Sequence, residues 1–183
     1  MGKYGIVVFC VFFMGMQGLV GQYLLAGSDF IDQGQPSYFP LAKKDFKRLS
    51  SSYGNRIHPL HHIPKKHHGI DLVANSGSSV YAAAKGLVIK ASYEKGYGNH
   101  IVIQHINGTK TLYGHLELML IDEGAITERG QTIGTVGETG QVTGPHLHFE
   151  IWRLNTKVNP LLFWEQLIQQ RKSVITHNSV LSR

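Results

Sequence analysis

The chain has 183 residues, 42% of them apolar, which is enough for one domain with a real core plus extensions. Its net charge of +6 is mild and no Lys/Arg stripe interleaved with aromatics runs through it, so a nucleic-acid partner is disfavoured and an anionic surface such as cell wall is favoured. The single cysteine, Cys10, sits in an N-terminal apolar run, so the rest of the chain has neither disulfides nor thiol chemistry.

That run begins MGKYGIVVFCVFFMGMQGLVGQ, with Lys3 before an apolar stretch from Ile6 to Met16 and small residues at Gly18 and Gly21. This is the layout of a secretory signal peptide over residues 1–21, expected to be cut after Gly21, with Gly27 to Asp29 as a second region. Export to the periplasm or the cell exterior follows, with an uncleaved membrane anchor as the alternative. Lipid attachment at Cys10 is disfavoured because Phe9 precedes it, where a small side chain is wanted. Residues 22–46 are polar and irregular, with Pro36 and Pro40, and read as a linker or an arm over the domain.

From Lys47 to Trp152 the pattern is short apolar runs separated by turns. VYAAA (80–84), LVIKASY (87–93), HIVIQH (100–105), TKTLYGHL (109–116), TIGTV (132–136) and HLHFEIW (146–152) are the expected strands. Asn107-Gly108 is a strong hairpin signal, and the hairpin outweighs the Asn-Gly-Thr glycosylation pattern it also creates. GTVGETGQVTG lacks the ending of a phosphate loop and reads as turns. Residues 153–183 form a C-terminal helix and tail: Asn159 can cap and Pro160 can take the first helical position. Leu161, Trp164 and Ile168 recur at helical spacing beside Leu167, predicting the stripe that docks on the sheet. The fold class is therefore mainly β, a small antiparallel sheet domain over 47–152 with a short C-terminal helix.

Eleven histidines is a surplus, and five fall between His58 and His68. In GPHLHFE (144–150) strand alternation puts His146, His148 and Glu150 on one face and Leu147, Phe149 and Ile151 on the other. Taken alone, two strand histidines are ordinary partly exposed residues. In KKHHGIDL, however, His67 and Asp71 are separated by three residues, with Gly69 allowing the backbone to turn between them. Zinc accepts imidazole nitrogen and carboxylate oxygen, and a catalytic site uses three such ligands with a fourth position open. One His, one Asp and a further His would complete that set, and the pattern leaves open which strand histidine joins it. In TLYGHL, His115 shares a strand face with Tyr113 and Thr111 and is placed near the metal. Glu150 reads as a groove-wall residue, and His61, His62 and His68 as surface loop.

These motifs together resemble the lysostaphin-like and LytM-type zinc metallopeptidases, which cut peptide cross-links in bacterial cell walls. SSYGNRIHP (51–59), GSSVYAAAKGLV (77–88), GYGN (96–99) and GQTIGTVGETGQVTGPHLHFE (130–150) match the family's framing segments, so the likeness spans about residues 50–152. The resemblance implies a substrate groove across the sheet and one Zn2+ held by His67, Asp71 and His148, with His115 and His146 as the catalytic pair. It also sets Arg56, His58, Asn99, Tyr113 and Thr143 along the groove, with peptidoglycan as partner and a monomer as the expected state. Relatives that cut glycine bridges tend to have Tyr-Pro where this chain has His58-Pro59, so stem-peptide cross-links are the expected target. The rival reading is a non-catalytic peptidoglycan binder that activates wall amidases, and all five site residues being present counts against it. A His-rich zinc-storage protein would not need the ordered strand motifs.

Overall fold

Strand alternation and turn chemistry build the molecule, seen here in a computed structural model that describes residues 34–57 and 63–181. The expectations for residues 1–21 and for His58, His61 and His62 fall outside those residues. Twelve strands are described: β1 (Arg48–Ser51), β2 (Gly54–Ile57), β3 (Pro64–His67), β4 (Ile70–Val73), β5 (Ser79–Tyr81), β6 (Gly86–Glu94), β7 (Gly98–His105), β8 (Lys110–Met119), β9 (Ile126–Thr127), β10 (Thr132–Val136), β11 (His146–Arg153) and β12 (Thr156–Val158). They are followed by the helix α1 (Pro160–Leu181). Ten strands form one antiparallel sheet with the path β1-β4-β11-β8-β7-β6-β9, while β10 joins β5 to β8 and β12 extends β11. The hairpin β2–β3 is a separate two-stranded sheet.

The mainly β fold and antiparallel sheet agree with the sequence pattern, and the differences have local causes. In VYAAA only Tyr81 and the residues before it keep strand pairing. The three alanines after it are fully buried, with Ala82 N–H held by the Gln131 carbonyl at 2.9 Å. The 47–73 stretch carries four further strands that its polar composition hides. Between β7 and β8 the hairpin turn forms as Asn107-Gly108 predicts: Gly108 has φ 81°, and Asn107 Oδ1 accepts from Thr109 N–H at 3.0 Å.

The core lies on the face of the sheet that carries Ile70 and Leu72 of β4, Leu147, Phe149 and Ile151 of β11, Ile101 and Ile103 of β7, and Tyr113 and Leu116 of β8. Full burial of each large apolar side chain contributes about 1.5–3 kcal/mol, so the sheet is held mainly by this layer. Residues 34–46 pack against it: Leu41 is buried and bridges Val80, and Phe39 contacts Phe46 and Trp164 edge-on or tilted. Asn159 Oδ1 caps α1 by accepting Leu161 N–H at 3.0 Å. Of the expected docking stripe, Trp164 and Leu167 meet the core, while Leu161 and Ile168 are exposed and Phe163 docks in their place. Trp164 stacks on Phe149 with centroids 5.5 Å apart and donates Nε1–H to the Pro36 carbonyl at 2.8 Å, which fixes the rotation of the helix about its axis.

A polar thread crosses the core. His105 Nδ1 meets the Lys85 carbonyl at 3.0 Å and Nε2 meets Thr111 Oγ1 at 2.9 Å. The Thr111 and Tyr113 hydroxyls share a 2.9 Å hydrogen bond, and Ala83 N–H donates to the Tyr113 oxygen at 2.8 Å. Burial pushes the His105 pKa down from 6.5 to about 4, partly offset by the Lys85 carbonyl. A folded-state value below the unfolded one gives stability that is fully present above pH 6.5 and lost as pH falls through about 4. Urea unfolding between pH 7 and pH 4 should therefore show a loss of about 3 kcal/mol traceable to this residue. His105→Gln should flatten the profile by that amount, and an unchanged slope would remove His105 as its source.

Candidate metal centre and groove

The site begins with strand register. β4 pairs with β11 so that Asp71 lies directly opposite His148, and β11 also pairs with β8, placing His148 opposite Gly114. Directly opposed residues on one face bring their side chains within contact distance. His67 ends β3, four residues before Asp71, and the intervening Gly69 brings the two segments onto β11. Gly69 does not adopt a left-handed turn. It is needed for close approach, because a Cβ there would collide with the Phe149 carbonyl oxygen, His148 Cε1 and Glu150 Cγ.

Three donor atoms converge as a result. His67 Nε2 lies 3.2 Å from Asp71 Oδ1, His148 Nδ1 lies 2.9 Å from the same oxygen, and the two nitrogens are 3.1 Å apart. All three residues are buried, and among the described residues they form the one such cluster of potential metal donors. Tetrahedral zinc ligands at about 2.0–2.2 Å stand about 3.3 Å from one another, so the triangle has the size and chemistry that zinc needs. Each ligand's remaining polar atoms are also engaged. His67 Nδ1–H donates to the Ser52 carbonyl at 2.9 Å, Arg56 donates to Asp71 Oδ2 at 3.3 Å, and His148 Nε2 meets Glu150 Oε1 at 3.1 Å. Burial alone would raise the Asp71 carboxyl, but hydrogen bonds and charge from His148 and His67 hold it well below the usual carboxylate range. It is an anion ready to bind a cation.

Two further imidazoles face the same space, their rings 4.8 Å apart. His146 Nδ1 is tied to the Gly144 carbonyl at 2.8 Å and His115 Nδ1 to the Thr139 carbonyl at 2.8 Å. A carbonyl oxygen can only accept, so both rings carry the proton on Nδ1 and turn Nε2 to the groove, where that of His146 lies 3.6 Å from Asp71 Oδ1. Burial, followed by the neighbouring His148 and His146, pushes the His115 pKa down to about 3, so its ring is neutral.

The backbone at His115 corrects the expectation of a shared face with Tyr113 and Thr111. His115 has φ 62°, a left-handed conformation that few non-glycine residues adopt. It is stabilised by His115 N–H donating to the Tyr97 carbonyl at 2.7 Å. Alternation therefore breaks: Tyr113 goes into the core and His115 into the groove, and Leu116 returns to the core. Tyr113 is fully buried and bonded to Ala83 and Thr111, so it cannot contact substrate. Asn99 is half-buried, and its Nδ2–H2 donates to the Leu116 and Glu117 carbonyls, pinning β7 to β8.

The groove has a volume of about 420 Å³ and is lined by Arg56 and the exposed Thr143 as expected, with Gln141 and Val142 on the same rim. His68 lines it too and is not a detached surface residue. Tyr97 was missed, although it lies within the GYGN segment, and its ring packs 5.6 Å from His148. Thr139 was missed as well: its Oγ1 accepts Asn99 N–H at 3.0 Å and donates to Leu116 O at 2.9 Å, while its carbonyl holds His115. Gly98 and Gly140, both with positive φ, let these two loops touch where any Cβ would clash.

A His-Asp-His triangle beside two free imidazoles in a sheet groove defines a protein built around a metal ion. The chain belongs to Peptidase family M23, whose profile matches residues 65–160. It is 44% identical over 117 residues to the peptidoglycan DD-endopeptidase ShyC of Vibrio cholerae, and 43% identical over 116 residues to the DD-carboxypeptidase/endopeptidase Mpg of Neisseria meningitidis. Each match covers 63% of this chain and 27% of the relative, so the chain spans about a quarter of the length of these curated relatives. Among solved structures, the catalytic domain of lysostaphin from Staphylococcus simulans superposes with a TM-score of 0.59 at 29% identity, over 66% of this chain and 92% of that one. A zinc-containing peptidase from Vibrio cholerae gives a TM-score of 0.62 at 36% identity, over 66% of this chain and 37% of that one.

Because Gly69 sets the spacing of β4 on β11, Gly69→Ala should destabilise the domain by about 1–3 kcal/mol as the strands are forced apart. Urea denaturation of the metal-free protein measures this, and a neutral result would show that the close approach is dispensable.

Proposed function

We propose that the chain is a zinc-dependent metalloendopeptidase that hydrolyses peptide cross-links of bacterial peptidoglycan, in stem peptides rather than glycine bridges. The observation that carries this reading is the convergence of three buried donor atoms and two Nε2-free imidazoles in one open groove. The names of the relatives, DD-endopeptidase and DD-carboxypeptidase/endopeptidase, support the stem-peptide substrate and a place outside the cytoplasm. Residues 47–152 carry the peptidase activity, and residues 1–21 direct export.

His67, Asp71 and His148 hold one zinc per chain through Nε2, Oδ1 and Nδ1. When bound, zinc supplies Lewis acidity, polarising a peptide carbonyl and making water acidic enough to attack near neutral pH. The chain's own groups manage the protons and the substrate. One Nε2 of the His115–His146 pair accepts the proton of the attacking water and passes it to the leaving amine. The other imidazole, when its Nε2 holds a further proton taken up from solvent, donates a hydrogen bond to the oxygen that gains charge. The carbonyls of Thr139 and Gly144 keep both rings oriented throughout. Thr143, exposed on the groove rim, contacts the peptide. Arg56 reaches the groove while steadying Asp71.

Two measurements test this. His146→Ala and His115→Ala should keep zinc and fold while losing about a hundred- to ten-thousand-fold in cleavage rate. Asp71→Ala and His148→Ala should lose the metal itself. Metal content by mass spectrometry together with turnover checks the division, and a metal-free His146→Ala beside a loaded His148→Ala would reverse the assignment.

Separately, cross-linked muropeptides incubated with the purified protein should give monomers cut at the stem-peptide cross-link. Binding without turnover, coupled to stimulation of an added amidase, would favour the non-catalytic activator.

A further inference from the structure

Glu150 is wholly buried, yet it is not a wall of the groove in any passive sense. Tyr97 donates its hydroxyl proton to Oε1 at 2.8 Å and Trp152 donates Nε1–H to Oε2 at 2.6 Å. Lys157 Nζ lies 3.2 Å from both oxygens, and it also donates to the Tyr97 hydroxyl at 2.7 Å. The remaining partner is His148 Nε2, 3.1 Å from Oε1. Every neighbour of this carboxylate is thus a donor or can become one, and only an ionised, acceptor-only side chain satisfies them all.

The geometry points to Glu150 as the positioning residue that fixes His148 with its proton on Nε2 and its lone pair on Nδ1, the nitrogen facing His67 and Asp71. Tyr97, Trp152 and Lys157 form the cage that holds the carboxylate in that role. This rests on the reading of His67, Asp71 and His148 as zinc ligands. An imidazole presents a metal with a lone pair only from the nitrogen that has no proton, so whatever captures the proton on the far nitrogen selects the near one for binding. Glutamine in place of Glu150 cannot do this without conflict. With its carbonyl towards His148, its NH2 meets the Trp152 and Lys157 donors. With its NH2 towards His148, it calls for a lone pair on Nε2 and moves the ring proton to Nδ1, where it blocks the metal.

The test is zinc affinity, measured by competition with a chromophoric chelator on the full chain, independently of activity. Glu150→Gln should bind zinc about 10- to 100-fold more weakly than the parent. His105→Gln lies in the core and touches neither the proposed ligands nor the cage, so it should unfold at lower urea concentration yet keep the parent's zinc affinity. Equal affinity for Glu150→Gln and the parent would overturn the inference. An equal loss in both variants would do so as well, since the affinity would then follow stability alone. If Glu150→Gln does not fold, the parent still decides. In its zinc-loaded form NMR should show a His148 Nε2–H protected from exchange, and a rapidly exchanging or missing proton would overturn the inference. Failure of the parent to bind zinc would instead remove the underlying ligand reading.

Discussion

The register of β4 against β11 is the constraint on which the rest of the site depends. It sets Asp71 opposite His148, and without it the three donor atoms would be scattered over separate strands. Register is specified wherever one face of a strand is buried, because a slip of one residue sends every core side chain to the other face. Here Ile70 and Leu72 on one strand, and Leu147, Phe149 and Ile151 on the other, commit the pair to a single alignment. The hydrophobic layer thereby fixes the polar one. Trp164, stacked on Phe149, ties α1 to the same alignment from the opposite side of the sheet.

Such a site carries a heavy load of buried polar groups. An imidazole or carboxylate removed from water costs several kcal/mol unless it is hydrogen-bonded. His67 and His115 each meet this cost by giving Nδ1–H to a backbone carbonyl, and His148 Nε2 meets the Glu150 carboxylate. The left-handed backbone at His115 is the one visible strain among these residues, and it is over-determined by the Tyr97 and Thr139 carbonyls on either side. Strain held in this way fixes the direction of a side chain that ordinary strand geometry would bury.

Much of this was legible in the sequence where periodicity alone decides. The alternation of HLHFEIW placed its apolar residues in the core and its histidines on the groove, and the capping Asn159 before Pro160 opened the helix. The errors fall where periodicity stops being the rule. Tyr113 and His115 are two residues apart and were assigned one face, but the positive φ at His115 separates them. Asn99 gives its amide hydrogens to the Leu116 and Glu117 carbonyls, a strand-pinning role that its sequence context does not signal. On the helix, Trp164 and Leu167 dock as the spacing predicts, but Leu161 and Ile168 face solvent and the ring of Phe163 fills the available space. Lys157 gave no local signal at all, because its partners Tyr97 and Glu150 reach it only through the pairing of β12 with β11.

The two histidines of GPHLHFE share a strand, a face and a chemistry, so a difference between them must come from what holds each ring. His146 is held through the carbonyl two residues before it, His148 through the carboxylate two residues after it. A neutral carbonyl fixes the direction of the His146 ring through Nδ1–H and leaves Nε2 turned to the groove, 3.6 Å from Asp71 Oδ1. A buried carboxylate fixes the far proton and also raises the basicity of the near nitrogen, which suits a group meant to stay bound to a cation. Burial would raise the Glu150 pKa, yet the hydrogen bond and charge of His148, with help from Lys157 and Trp152, lower it to about 2, so that field persists across the working pH range. The same strand periodicity that makes the two rings equivalent in position places unlike partners at their outer ends, and the proposed division between metal ligand and proton carrier follows from that asymmetry.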